Sequence, residues 1–223
     1  MTAEHPGILI VDDHGLVGAA LAMALVTRGV SASAVSPGEL LGRIDEPAPP
    51  GGLVLLDLDL GGDRDGADLV PRLRRAGWRV LMVTGSTDHS RIAAAVTAGA
   101  LGWVSKSAPF DDLVETAVRA AEGRTLLSAQ ERERLRVLAT EADREAELKR
   151  SRWERLTPRE LEIVEQIAAG HRPAAIAARF VVSVATVRTQ IRSILGKLEV
   201  GSQLEVAALA RERPRPQGPG ARG

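Results

Sequence analysis

The sequence predicts a doubly wound α/β domain with a five-stranded parallel sheet, followed by a smaller all-α helix-turn-helix domain. Three observations carry this. Short apolar, β-rich runs alternate with helical patterns through the first half of the chain. Two of those runs, ILIV and LVLL, are continuously apolar, as strands buried on both faces must be. After about residue 106 the strand patterns stop, and from 156 onward helical periodicity with capping residues fills the chain.

The strands are expected at 8–13, 30–35, 53–58, 79–85 and 102–106, with helices at about 15–28, 38–45, 66–76, 89–99 and 109–122. The boundaries this implies are a domain over 1–125, a helical charged linker over 126–155, a helix-turn-helix domain over 156–211 and a tail over 212–223. The linker is rich in charge and free of Gly and Pro over 131–155, which reads as a solvated helix. Leu135, Leu138 and Ala142 start a heptad that Glu145 and Lys149 break, so a plain connector is favoured over a coiled coil. The tail, RERPRPQGPGARG from Arg211, is basic and rich in Pro and Gly and is expected to be disordered.

Composition narrows the function. The 223 residues carry 29 basic and 29 acidic side chains, but unevenly. Residues 1–150 hold 17 Lys and Arg against 22 Asp and Glu, and residues 151–223 hold 12 against 7. An acidic front and a basic back suggest different partners, nucleic acid being one for the back. There is no cysteine, which removes thiol chemistry and suits a reducing compartment. The longest apolar run, 16–26, is too short to span a bilayer, and the N-terminus lacks the pattern of a secretion signal. A cytoplasmic chain with no membrane partner is therefore expected.

The polar residues that interrupt the strands all fall at one edge. Asp12 and Asp13 end the first strand, Asp57 the third, Thr84 the fourth and Lys106 the fifth. Doubly wound sheets bind ligands beyond the carboxyl ends of their strands. Singly, each residue has an ordinary explanation, Asp13 as a helix cap for instance. Together, three carboxylates at one edge call for a hard cation, and Mg²⁺ takes few carboxylates while keeping several waters. Lys106 then balances a further anion, and Thr84 supplies a hydrogen bond.

This set, VDD, then LLDL, then VTG, then WVSK, resembles the receiver domain of bacterial two-component response regulators over residues 7 to about 125. The resemblance implies a flavodoxin-like fold with strand order 2-1-3-4-5. It makes Asp57 the phosphoacceptor and a histidine kinase its donor. It implies Mg²⁺ held by Asp12, Asp13, Asp57 and the backbone carbonyl of Asp59, with Thr84 and Lys106 on the phosphoryl group and Trp103 as the switch aromatic. It implies no enzymatic activity beyond self-phosphorylation and dephosphorylation at Asp57. The sequence departs from the family after the phosphoacceptor, where LDLGGDRDGADL lacks the usual proline and is slightly longer, with Asp59, Asp63 and Asp65 adding negative charge. The DLD triplet also resembles the nucleophile motif of haloacid-dehalogenase-type phosphatases. That motif usually sits on the first strand, however, and the paired acids here precede it.

The second half opens on LTPRE, where Thr157 and Glu160 form a capping box with Pro158 at the first helical position, and Leu156 and Leu161 sit as a hydrophobic staple. A short helix at 173–180, a tight connection and a helix at 184–198 capped by Ser183 follow, then a fourth from Ser202 that stops before Pro214. Val187, Ile191, Ile194, Leu195 and Leu198 make the apolar stripe of the third helix. Ala185, Arg188, Thr189 and Arg192 lie on another face, a pattern suited to a major groove. Lys197 and Arg159 are candidates for phosphate contacts.

Residues 156–210 resemble the LuxR-type helix-turn-helix domain through LTPRE, AAIAARF and SVATVRTQIRSILGKL. The resemblance implies that Arg188, Thr189 and Arg192 read bases of double-stranded DNA while Thr186 and Lys197 touch its backbone. Gln190 stands where a His is usual, and the final helix, with Val206 and Leu209, would form a dimer contact on DNA. The two resemblances together give a phosphorylation-controlled, DNA-binding transcriptional regulator of the NarL/FixJ type, acting as a homodimer. The alternative from another class is a DNA-binding regulator whose first domain is an unphosphorylated dimerisation or ligand-sensing module.

Overall fold

The apolar runs become strands because each is buried from both sides. In the computed structural model, which describes residues 7–62 and 64–212, these are β1 (Ile8–Val11), β2 (Ala32–Val35), β3 (Leu53–Leu56), β4 (Arg79–Thr84) and β5 (Trp103–Ser105). All pair in parallel, in the order β2-β1-β3-β4-β5. The register sets Val11 beside Leu56 and Leu56 beside Met82, so the residues that follow these strands emerge side by side. The Asp57 amide still donates to the Val11 carbonyl (3.0 Å), carrying the ladder one residue past the strand.

Strand parity divides the core. Leu9, Val11, Val54, Leu56, Val80 and Met82 face α2 (Pro37–Arg43), α3 (Val70–Arg75) and α4 (His89–Thr97). Ile8, Ile10, Leu53, Leu55, Leu81 and Val83 face α1 (Gly15–Thr27) and α5 (Phe110–Ala121). Helix α1 packs on the sheet at Gly18, where a Cβ would make an ordinary contact, 3.4 Å from that of Ala34. The expected helix over 66–76 is instead a 3₁₀ turn, Gly66–Leu69, followed by α3. Pro71 at the second position of α3 lacks the amide that would continue the turn as one helix.

The linker forms α6 (Ala129–Glu154), in which Ala139 is buried and Leu135, Leu138 and Ala142 are half-buried. The chain falls into two compact units, Met1–Asp143 and Arg144–Gly223. The second unit is built from α7 (Pro158–Ala168), α8 (Pro173–Phe180), α9 (Val184–Leu198) and α10 (Gln203–Glu212). Its core holds Leu156, Ile163, Val164, Ile167, Ile176, Val187, Ile191, Ile194, Leu198 and Val206, so Val206, expected at a dimer contact, is instead fully buried within its own unit. Both halves of the Thr157–Glu160 capping box are formed. Helices α8 and α9 meet at a bend of 111°, within the roughly 90–120° of helix-turn-helix units. No single helix among the described residues is long and apolar enough to cross a membrane. The expected disorder of the basic tail falls on 213–223, outside the described residues.

Candidate functional site

The carboxyl ends of β1, β3, β4 and β5 bring Asp12, Asp57, Thr84 and Lys106 together. The Lys106 ammonium lies 2.6 Å from Asp57 Oδ2 and 2.6 Å from Asp12 Oδ2. Asp57 is 3% exposed, and its Oδ1 is buried with no hydrogen-bond partner among the described residues. Burial raises the Asp57 carboxyl above the usual aspartate range, against the pull of the Lys106 ammonium. Burial works against the charge on Lys106 as well, but the two carboxylates outweigh it and its pKa is raised. A half-satisfied buried carboxylate is costly to the fold. It is also a nucleophilic oxygen held ready for a ligand.

Asp12 Oδ1 accepts from the His14 amide (2.8 Å), which turns the chain into α1. Asp13 is exposed and does not cap that helix; the N-cap residue is His14, with no side-chain cap bond. Ligand atoms of Asp12, Asp13, His14 and Asp57 lie within 4.8 Å of one another. The orphaned Asp57 Oδ1 and three converging carboxylates fit Mg²⁺, a cation that prefers oxygen ligands. His14, which the sequence reading passed over, points its Nδ1 at Asp13 Oδ1 (2.6 Å) and so orients that carboxylate.

Thr84 is fully buried, and its hydroxyl oxygen accepts from the Ser86 amide (3.0 Å), which leaves its proton to donate elsewhere. Trp103 is half-buried and meets the His89 ring edge-on at 6.2 Å.

The atypical loop after Asp57 folds as a small hairpin. Asp59 bridges to Asp65, the Leu60 amide donates to Arg64 O (3.3 Å), and the Gly66 amide donates to Leu58 O (2.7 Å). Gly61 and Gly62 lie in its turn with φ of 80° and 64°. Gly66 is required for a different reason: a Cβ there would lie 1.9 Å from the Asp57 carbonyl. The negative charge expected of this loop is not free. Arg91 on α4 pairs with both Asp59 (2.8 Å) and Asp65 (2.7 Å). Asp63 lies outside the described residues. Nothing local in the sequence marks Arg91, because its partners lie 26 and 32 positions away.

In the second unit, Thr186, Arg188, Thr189 and Arg192 are all exposed on α9, as the helical spacing requires. The two threonine hydroxyls are already engaged, Thr186 with Ser183 (2.8 Å) and Thr189 with the Ala185 carbonyl (3.1 Å). Lys197, expected to touch the DNA backbone, is half-buried and paired within its own unit. Its ammonium lies 2.6 Å from Oε2 of Glu160, which is 6% exposed. Glu160 also accepts from Ser193 Oγ (2.8 Å), Thr157 Oγ1 (3.0 Å) and the Thr157 amide (2.8 Å). Burial pushes Glu160 up, but Lys197, Thr157 and Ser193 together bring it down to about 2. Lys197 therefore braces α9 against α7. Arg159 is likewise occupied, paired with Glu162 (2.7 Å) and stacked 3.7 Å over the Phe180 ring.

Both parts of the chain match known families. Residues 8–118 match the response regulator receiver domain, and residues 154–210 match the luxR family of bacterial regulatory proteins. The response regulator protein VraR of Staphylococcus aureus is 28% identical over 208 residues, covering 91% of this chain and 95% of its own. Among solved structures, the response regulator ChrA of a heme-sensing two-component system is 29% identical, with a TM-score of 0.43, covering 92% of this chain and 96% of its own. An RcsB–DNA complex is 21% identical with a TM-score of 0.45, covering the same shares.

Proposed function

Because the chain belongs to the two-component response regulators, joining a receiver domain to a LuxR-type DNA-binding domain, we propose that Asp57 takes a phosphoryl group from a histidine kinase and thereby controls DNA binding by a dimer. The observation that carries this is the buried, unpartnered Oδ1 of Asp57 beside the Lys106 ammonium. A carboxylate oxygen attacks phosphorus, the P–N bond of the donor phosphohistidine breaks, and an acyl phosphate forms. Lys106 neutralises charge on the transferred group. The Thr84 hydroxyl proton is free to be donated to it, and the Ser86 amide already fixes that hydroxyl. Mg²⁺, held by Asp12, Asp13, Asp57 and the Asp59 backbone carbonyl, would neutralise the remaining negative charge. The chain turns over no separate substrate in this reading, and it acts in the cytoplasm, where the kinase and the DNA are met.

Dimerisation has support on α1. One side of this helix buries Leu21 and Leu25, while Leu16 is 86% and Met23 73% exposed on another. Leu16, Ala19, Ala20 and Met23, with Val26 and Thr27 beyond, follow helical spacing, so the exposed apolar residues form one stripe. Its small central alanines admit a second helix closely. On this reading Met23→Glu leaves a phosphorylated chain monomeric in light scattering, and an unchanged dimer would move the interface elsewhere.

The test of phosphorylation is intact mass after acetyl phosphate and Mg²⁺. Wild type is expected to gain one phosphoryl group and Asp57→Asn none. The labelled chain should then bind operator DNA more tightly than the bare chain. Equal affinity would overturn control by phosphorylation.

A further inference from the structure

Arg91 makes a contact set to which the proposed function gives no role. Its guanidinium is forked over the loop that follows Asp57. Nε donates to Asp65 Oδ2 (2.7 Å), Nη1 to Asp59 Oδ1 (2.8 Å) and Nη2 to the Leu58 carbonyl (3.0 Å). The acceptors lie on both arms of the 58–66 hairpin, across its Asp59–Asp65 bridge. A hairpin this short has little stability of its own, and Gly61 and Gly62 lie in its turn. The first arm leaves directly from Asp57, whose own amide is held by the Val11 carbonyl (3.0 Å).

The other end of the clamp is also tied to the site. Asp88 caps α4 by accepting from the Ser90 (2.9 Å) and Arg91 (3.3 Å) amides. The Asp88 amide donates to Ser86 Oγ (3.1 Å), and the Ser86 amide donates to Thr84 Oγ1 (3.0 Å). The start of α4 is thus joined to Thr84 on one side and, through Arg91, to the Asp57 loop on the other.

We infer that Arg91 is a positioning residue for the phosphorylation site, fixing the hairpin so that the Asp59 backbone stays in place beside Asp57. The inference rests on the reading of Asp12, Asp13, Asp57 and the Asp59 carbonyl as a Mg²⁺ site. A planar fork can hold three acceptors in fixed directions, whereas an ammonium supplies the same charge without that geometry. Arg91→Lys therefore separates positioning from charge.

The experiment is calorimetric Mg²⁺ titration of the full chain without phosphodonor, for wild type, Arg91→Lys and Arg91→Ala. Positioning predicts that both variants bind Mg²⁺ more weakly, by roughly tenfold, the lower end of what losing the support behind a metal ligand costs. A pure charge effect predicts that Arg91→Lys matches wild type and that Arg91→Ala, which frees two carboxylates, binds more tightly. Either of those results overturns the inference. Wild type that binds no Mg²⁺ would sink the metal-site reading instead. Hydrogen exchange over 58–66 then decides Arg91 alone: lost protection in Arg91→Lys supports the clamp, and unchanged protection refutes it.

Discussion

Glu160→Gln tests the polar brace inside the DNA-binding unit. The carboxylate sits at the third position of α7, closes the Thr157 capping box and receives Lys197 and Ser193 from α9. Its fall from the ordinary glutamate value of 4.5 to about 2 corresponds to stability on the order of 3 kcal/mol, or roughly a hundredfold in an opening equilibrium. Glutamine keeps the shape and one acceptor but loses the charge that Lys197 meets. Because the folded carboxyl is depressed, its contribution is present above pH 4.5 and is lost as pH falls toward about 2. Backbone hydrogen exchange of the full chain, read in peptides from α7 and α9, is the assay. At pH 7 the variant should open about a hundredfold more often than wild type. The ratio should shrink toward one as the pH approaches 2. Equal protection at neutral pH, or a ratio that does not close in acid, would refute the brace.

Other perturbations follow from single observations. Burial raises the Asp57 carboxyl, so its ionised form works against folding once pH exceeds the ordinary aspartate value. Asp57→Asn should raise Tm at neutral pH in metal-free buffer, with the gain vanishing in acid; a lower Tm would show that the carboxylate stabilises the fold. Added Mg²⁺ should raise the Tm of wild type more than that of this variant. Val181, at the C-cap of α8, is held at φ 54° and is 91% exposed. Val181→Asn removes β-branching from a left-handed position and should stabilise by about 0.5–1 kcal/mol, measured by urea unfolding; a loss would show that the valine makes a compensating contact. Arg188→Ala should relax preference at one base pair by about 1–3 kcal/mol in a scan of operator variants, and a uniform loss across all sequences would place Arg188 on phosphate.

The sequence was most legible where a residue type and its neighbours suffice. LTPRE specifies a cap, and α8 and α9 run from Pro173 to Phe180 and from Val184 to Leu198, as their cap residues and apolar spacing predict. Strand ends announced Asp12, Asp57, Thr84 and Lys106, because a polar residue closing an apolar run shows in one dimension. What stayed hidden depends on partners far apart in the chain. The helical spacing that marks Lys197 says nothing of Glu160, 37 residues earlier, with which it pairs. Arg91 looks like one more charge on a surface helix until the hairpin forms beneath it. The hairpin was unreadable for the same reason: glycine and aspartate predict a turn, but only the three bonds from Arg91 say where it rests.

Each unit places a buried carboxylate against a lysine, and the two differ in how fully the carboxylate is satisfied. Oxygens of Glu160 accept from the capping hydroxyl of α7, from a hydroxyl on α9, from a backbone amide and from Lys197, and its charge is favoured. Asp57 gives one oxygen to Lys106 and leaves the other buried without a partner, and its charge is disfavoured. A fold gains from the first arrangement and is strained by the second. The penalty at Asp57 is relieved when a cation and a transferred phosphoryl group supply what Oδ1 lacks, and the same relief would make the modified state differ in free energy from the bare one. Lysine and carboxylate together therefore do not mark a reactive site; the unsatisfied oxygen does, and among the buried side-chain atoms of the described residues it occurs at Asp57.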